Sequence, residues 1–542
     1  MVADTEPVRG VPGPVRNAPV LRRRWAAVLC LAAGAIGIVA FPRFGVWPLA
    51  FCSVAGLSIA VDGQRCRTGA WLGVLYGLAF FVPLLSWTGV YVGPAPWLIL
   101  AAAEAAYFAG LGAVLPLVQR LPVAPLWVGA SWVLEELVRD RWPFGGFPWG
   151  RLAFSQAQSP LRWFAALGGA PLVTFAVALS GAGLAQAVLS MRATPIRRAG
   201  AAAGLGLLVA VPVLGAVLSW PLWPSTTHAH DTTIALVQGN VPDRGLDFES
   251  RRREVLDNHV QQTMGLAADI KAGRVPRPAL VLWPENSSDL DPYTNADARA
   301  EIERAVKALG APILVGAILD GPGSHVRNAG ILWSPNTGPG ATYIKRHPVP
   351  FAEYIPLRGV AKIVTDKVKL VQRDMASGTG NGLVPGGPFA IGDVICFEVA
   401  YDTLVHSSVA AGAQLLVVQT NNATFGHTAE TYQQLAMSQL RAVEHGRTTV
   451  QVSTSGLSAV IAPDGTIRQR SGALFTPARI VATIPLRSAR TAATNLGTVP
   501  EYVLAASAVV GALTGIIVRR RARQREQITA AAASGEQEKV RA

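Results

Sequence analysis

Apolar and polar positions divide the 542-residue chain into two regimes. Up to residue 220, long apolar runs dominate, at 25–41, 46–61, 69–92, 95–118, 123–137, 163–189 and 201–220, and one more follows at 502–518. Most approach the ~20 residues that a helix needs to cross a bilayer, with 46–61 and 123–137 the short ones. The pattern predicts eight spanning helices. Between the seventh and the eighth the period changes. Strand-like runs at 233–237, 279–283, 313–318, 330–333, 342–344, 389–395, 414–418, 448–454 and 457–461 are interleaved with helical patterns at 250–272, 296–308 and 429–445. Pro463-Asp464-Gly465 reads as a hairpin turn. The expectation is a multi-span α-helical membrane domain plus a layered α/β domain. The stretch 359–387 has no firm pattern, and at that length a functional lid is a better reading than a plain connection.

Composition supports the membrane reading: half the residues are hydrophobic and only 15% are charged. The formal charge of +14 sits in short arginine clusters beside the apolar runs, with no aromatic-interleaved basic patch, so no nucleic-acid partner is expected. A basic start before an apolar run resembles a signal peptide, but no small-residue cleavage site leads into a soluble domain. With eight spans, Arg22–Arg24, Arg65, Arg67, Arg120, Arg192, Arg197, Arg198 and the cluster Arg519 to Arg525 all fall on one side, the cytoplasmic side by the positive-inside rule. The expected order is a cytoplasmic tail at 1–24, seven helices over 25–220, an extracytoplasmic α/β domain at 228–488, an eighth helix at 502–518 and a basic tail at 519–542. The end of that tail, 527–542, is polar and expected to be disordered. Arg139, Arg141 and Arg151 fall on the outer side, as headgroup ligands or in a packed loop. Glu104 and Glu136 lie within spans, and Glu136 is expected to pair within the 132–139 segment.

Of four cysteines, only Cys396 lies in the second half of the chain, so it has no disulfide partner there. The eight histidines show no paired ligand spacing and there is no CxxC, so neither a metal nor a cofactor is expected. Cys396 ends the 389–395 run just before a helical pattern, where exposure and a helix N-terminus would lower a thiol pKa. A buried structural cysteine is the plainer alternative. Glu285 and Lys345 also stand at the ends of strand-like runs, where sheet folds gather catalytic groups. A carboxylate can take the thiol proton, and an ammonium can stabilise an oxyanion. A surface ion pair is the plainer alternative for those two. No His–Asp pattern stands nearby, although His347 is close to Lys345.

Trp283-Pro-Glu285, Tyr343-Ile-Lys345 and Cys396-Phe-Glu398, in that order, resemble the nitrilase superfamily and its Glu-Lys-Cys triad. The membrane arrangement, with Phe147-Pro148-Trp149, Val237-Gln-Gly-Asn240 and Pro350-Phe-Ala-Glu353-Tyr354-Ile-Pro356, resembles the apolipoprotein N-acyltransferase family over nearly the whole chain. The resemblance implies a nitrilase-like αββα sandwich. It implies Cys396 as nucleophile on a phospholipid acyl ester, Glu285 as base and Lys345 at the oxyanion, with transfer to the α-amino group of a diacylated lipoprotein. Glu353, Glu398, Tyr354 and Phe397 match supporting or substrate positions. Phe397 stands where many relatives carry Tyr, Ala352 where Gly is frequent, and Phe248 is the nearest aromatic after Asn240. The implied location is the bacterial cytoplasmic membrane, with the α/β domain outside. Some relatives are joined to, or work beside, a polyprenol-phosphate mannosyltransferase, a partner left open here. Two other classes compete: a membrane-tethered amidase or nitrilase using the same triad, and a transporter or scaffold with a degenerate outer domain.

Overall fold

The computed structural model describes residues 19–191, 195–222, 230–241 and 252–541. The N-terminal bundle comprises α1 (Arg23–Ala40), α2 (Leu49–Val61), α3 (Cys66–Leu84), α4 (Pro94–Val118), α5 (Ala124–Arg139), α6 (Ala165–Ser190) and α7 (Pro195–Leu222). Small residues set its spacing. A methyl group added at Gly73 of α3 would lie 1.9 Å from the Phe108 carbonyl oxygen of α4, so only glycine admits that approach.

The α/β domain follows as β1 (His230–Gln238), α8 (Arg252–Lys271), β2 (Leu280–Leu282), α9 (Ala296–Leu309), β3 (Ile313–Asp320), β4 (Val326–Ser334) and β5 (Gly338–Ile344). Next come α10 (Arg358–Val364), β6 (Leu383–Val384), β7 (Ile391–Ile395), α11 (Asp402–Ala410), β8 (Leu415–Thr420) and α12 (Glu430–His445). The chain closes with β9 (Thr448–Ser453), β10 (Ala459–Ile461), β11 (Ile467–Arg470), β12 (Ala478–Leu486), α13 (Ala492–Leu496) and α14 (Val499–Arg541).

Two six-stranded sheets form, ordered β12-β1-β2-β3-β4-β5 and β11-β10-β9-β8-β7-β6. Parallel pairing occupies the middle of each, β1-β2-β3 in one and β7-β8-β9 in the other. Their buried faces meet through Leu236, Leu282, Leu314, Ile395, Val417 and Val452. Helices α8 and α9 cover the outside of the first sheet through Leu256, Val260, Ile302 and Val306. On the outside of the second sheet, α11 and α12 share one continuous core with the helical bundle, in which Val405, Met437 and Leu440 join Phe81, Trp132 and Val173. The expected αββα sandwich is present, and its second helical layer is buried between the sheet and the bundle.

Three expectations change. Among the described residues, six helices are long and apolar enough to cross a membrane. The other two expected spans are shorter, α2 at 13 residues and α5 at 16, and α5 carries Glu135, Glu136 and Arg139. A 13-residue helix rises only ~20 Å against a ~30 Å hydrocarbon core. The tail expected to be disordered continues α14 as helix to Arg541; its alanines, glutamates and lysine are good helix formers. The unpatterned 359–387 stretch holds α10 and a 3₁₀ turn at Asp366–Leu370. Its Met375 and Gly378 amides bond the carbonyls of Glu353 and Lys345, each at 2.8 Å. Phe248, Arg192 and the expected domain start at 228 lie outside the described residues.

Candidate active site

Strand β7 is buried throughout and delivers Cys396 into a sharp turn, where its backbone adopts φ 55°. A non-glycine residue in the left-handed region stores strain that its surroundings must hold. Glu398 holds it. Its carboxylate accepts the amide N–H of Ile395 at 2.9 Å, of Arg346 at 2.7 Å and of His347 at 3.1 Å, and the Tyr343 hydroxyl at 3.0 Å. One carboxylate thus ties the turn at Cys396 to the chain leaving β5, which carries Lys345. Burial pushes the Glu398 carboxyl up, and the three N–H groups act against it.

Lys345 is 1% exposed and sits between two carboxylates, with Nζ 3.2 Å from Glu285 Oε1 and 2.7 Å from Glu353 Oε1. Burial alone would favour a neutral amine, but Glu285 and Glu353 outweigh it and keep the ammonium charged. Glu285 is fixed further by Asn328 Nδ2 at 2.7 Å on Oε1 and by the Asn421 amide at 2.8 Å on Oε2. Glu353 also accepts the Val349 amide at 2.7 Å. The three residues expected at strand ends therefore converge, and Glu353 joins them.

The thiol departs from expectation. It is half-buried, receives Thr420 Oγ1 at 3.3 Å and Gln434 Nε2 at 3.7 Å, and is followed by a five-residue 3₁₀ turn rather than an α-helix. Burial pushes its pKa up, Glu285 adds to that, and Lys345 acts in the opposite direction. The upward direction favours the protonated thiol, from which a base must take the proton before sulfur can attack. The His347 ring lies against Tyr401 at 4.1 Å, and burial, then Lys345, push its pKa down.

Phe397 faces the bundle. It stacks on Trp149 with ring centroids 5.5 Å apart and lies 5.2 Å from Phe147. Trp149 donates to Gln433 of α12 at 2.6 Å, and Tyr401 donates to the Gly146 carbonyl at 2.9 Å. The whole turn after Cys396 therefore rests on the 142–152 loop. Tyr354 bridges Pro350 through the backbone and accepts the Phe351 amide on its carbonyl, and its ring makes no hydrogen bond to the triad.

The arginines on that loop are structural. Arg139 is 1% exposed and bonds Glu104, Glu135 and the carbonyls of Phe147 and Trp149. Arg151 is 2% exposed and pairs with Glu136 at 3.3 Å, Asp140 at 3.2 Å and Asp402 at 2.8 Å. Glu136 thus pairs outside the 132–139 segment; Glu135, one residue earlier, is the partner of Arg139. Arg141 pairs with Glu501 at the start of α14. Asp402 is shared with Arg441 of α12 at 2.6 Å. Burial raises the Asp402 pKa, but Arg151 and Arg441 outweigh it and hold the carboxyl well below its usual range.

The sequence reading missed Asn328, Thr420, Asn421, Glu430 and Gln434. The polar run Gln419 to Asn422 directly after an apolar strand was the available signal.

A strained cysteine, a buried lysine and the Glu285 carboxylate at strand ends of an αββα sandwich, with Glu353 reaching the lysine from the loop after β5 and the whole joined to an apolar helical bundle, define a membrane-embedded enzyme of the nitrilase type. Residues 33–183 match the apolipoprotein N-acyltransferase N-terminal domain, and residues 233–494 match the carbon-nitrogen hydrolase family. An apolipoprotein N-acyltransferase of Mycolicibacterium smegmatis is 43% identical, over 88% of this chain and 83% of its own length. That of Azotobacter vinelandii is 30% identical over 83% of this chain and 88% of its own length. Among solved structures, an amidase of the nitrilase superfamily from Nesterenkonia is 20% identical, covering 47% of this chain and 90% of its own at a TM-score of 0.35. The chain belongs to the apolipoprotein N-acyltransferase family.

Proposed function

We propose that Cys396 carries an acyl chain from a membrane phospholipid to the α-amino group of a diacylated apolipoprotein, as a thioester. The observation that carries this reading is the convergence of Glu285, Lys345 and Cys396 beside a bundle of membrane helices. The family is one of acyltransferases, and lipoprotein N-acylation is its activity. In the first half-reaction Glu285 takes the thiol proton and sulfur attacks the ester carbonyl. The Lys345 ammonium stabilises the tetrahedral oxyanion. The ester C–O bond breaks, and the lysophospholipid oxygen takes the proton from Glu285. In the second, the lipoprotein amine attacks the thioester carbonyl and the C–S bond breaks. Glu285 passes the amine proton to sulfur.

Glu353, which pairs with Lys345 and so balances its charge beside Glu285, supports the ammonium. A site next to the membrane under a lid formed by 359–387 brings the amine to the thioester ahead of water. Ile363 and Leu370 on that segment, and Leu357 just before it, are exposed, as a lid that touches lipid requires. The cytoplasmic membrane, an extracytoplasmic catalytic domain and a polyprenol-phosphate mannosyltransferase partner belong to the same proposal. The test incubates purified protein with phospholipid and a synthetic diacylated lipopeptide. A lipopeptide heavier by one amide-linked acyl chain, absent with Cys396→Ala, is the expected product. Ammonia release from small amides without acyl transfer would favour the hydrolase alternative.

A further inference from the structure

Beside Cys396, on β8 and α12, lies a second set of polar side chains that the triad does not use. Thr420 at the end of β8 and Gln434 in α12 are both 0% exposed and both reach the sulfur, at 3.3 and 3.7 Å. The orientation of Gln434 is dictated by its neighbours. Its Oε1 accepts Asn422 Nδ2 at 2.9 Å and Thr420 Oγ1 at 3.0 Å, so the amide nitrogen must face the sulfur. Asn422 is oriented in turn: its Nδ2 also donates to Glu430 Oε2 at 2.8 Å, and its Oδ1 accepts Ser453 Oγ at 2.7 Å. The ladder Glu430–Asn422–Gln434–Cys396 is buried along its length and fixes an N–H donor on the nucleophile.

We infer that Gln434 and Thr420 are further catalytic residues, a pair of donors that stabilise the Cys396 sulfur whenever it carries negative charge. Asn422 and Glu430 are positioning residues acting through Gln434. This rests on the reading of Cys396 as nucleophile. Sulfur becomes negative twice: when Glu285 removes the thiol proton, and when the C–S bond breaks and its electron pair returns to sulfur. At both moments the Gln434 N–H is already aimed. The Thr420 hydroxyl, which has one proton and two acceptors in reach, turns from Gln434 Oε1 to the sulfur. Lys345 is committed to Glu285, Glu353 and the oxyanion, so the sulfur needs this second source of donors. The titratable groups facing the sulfur are Glu285, which with burial disfavours a thiolate, Lys345, which favours one, and Glu430, which disfavours one once ionised.

The test measures iodoacetamide alkylation of Cys396 in the full-length protein, followed at the Cys396 peptide by mass spectrometry across pH 6–10. Gln434→Met keeps the volume and removes the donor, Thr420→Val removes the hydroxyl, and Thr420→Ser restores it. Each loss of a donor slows alkylation about tenfold at fixed pH and moves the profile up by about one pH unit, as expected for one hydrogen bond to a charged atom. Thr420→Ser stays within about twofold of the native protein. Unchanged profiles for Gln434→Met and Thr420→Val overturn the inference, as does an equal loss in Thr420→Ser and Thr420→Val. Should Gln434→Met fail to fold, the Thr420 pair decides alone. Failure of the nucleophile reading has a different signature: the native protein would form no acyl adduct with phospholipid, whatever the alkylation profiles.

Discussion

Glu398 offers a direct test of how the turn at Cys396 is held, because one carboxylate meets four donors. In Glu398→Ala, the amide N–H groups of Ile395, Arg346 and His347 and the Tyr343 hydroxyl lose their acceptor in a site where Glu398 is 0% exposed. A buried donor left unpaired costs about 1–3 kcal/mol, so three N–H groups place the loss at roughly 3 kcal/mol or more. Glu398→Gln is the finer probe. Its carbonyl oxygen can keep Arg346 and His347, while its NH₂ group meets the Ile395 N–H donor to donor, so one donor is orphaned at about 1–3 kcal/mol. At ~2–4 °C per kcal/mol for a domain of this size, Glu398→Ala should melt at least ~6 °C lower in detergent, and Glu398→Gln a few degrees lower. The loss falls on the left-handed turn at Cys396, so the rate of acyl-adduct formation should drop about tenfold in Glu398→Gln and about a hundredfold in Glu398→Ala. A Glu398→Gln protein that melts like the native one and acylates at its rate refutes the reasoning. A raised KM with unchanged melting would instead make Glu398 a substrate contact.

Two further predictions concern buried charge. Arg151→Met removes a partner from Glu136, Asp140 and Asp402 together and should destabilise by roughly 3–5 kcal/mol. Combining it with Asp402→Asn in a double-mutant cycle should show a coupling above about 1 kcal/mol, and additive melting shifts would contradict the ion pair. Glu430 is pushed up to about 8, chiefly by burial, whereas an unfolded glutamate titrates near its ordinary 4.5. Between those values the folded state binds more protons, so stability falls as pH rises, by roughly 1.4 kcal/mol per unit for this one group. Melting curves from pH 5 to 8 should fall less steeply in Glu430→Gln than in the native protein, and parallel slopes would contradict the assignment.

The convergence of Glu285, Lys345 and Cys396 was legible because each follows a strand whose apolar run stands out, and because Cys396 is alone in its half of the chain. Order along the chain was enough to suggest a shared sheet end. The groups that surround the triad were not legible. In α12 the sequence pattern predicted a helix without its surroundings; the helix lies between a sheet and the bundle, and Gln433, Gln434, Gln439, Arg441 and Glu444 are buried. For the outer arginines the packed-loop alternative holds, and their partners were hidden for a related reason. Arg151 finds Asp402 across 251 residues of sequence, a distance over which no local pattern reports a partner. The thiol pKa was read from a helix N-terminus that is a short 3₁₀ turn, and burial reverses its direction. The two short spans were visible as short, but the polar anchoring of α5 through Glu135, Glu136 and Arg139 emerges only when the loop after it folds back on it.

The most direct measurement is the intact mass of the purified protein after incubation with phospholipid, beside Cys396→Ala. The account predicts a mass increase of one acyl chain on the native protein alone, removed by hydroxylamine as a thioester is. An adduct of the same mass on Cys396→Ala, or none on the native protein while lipopeptide is still acylated, would contradict Cys396 as the acyl carrier.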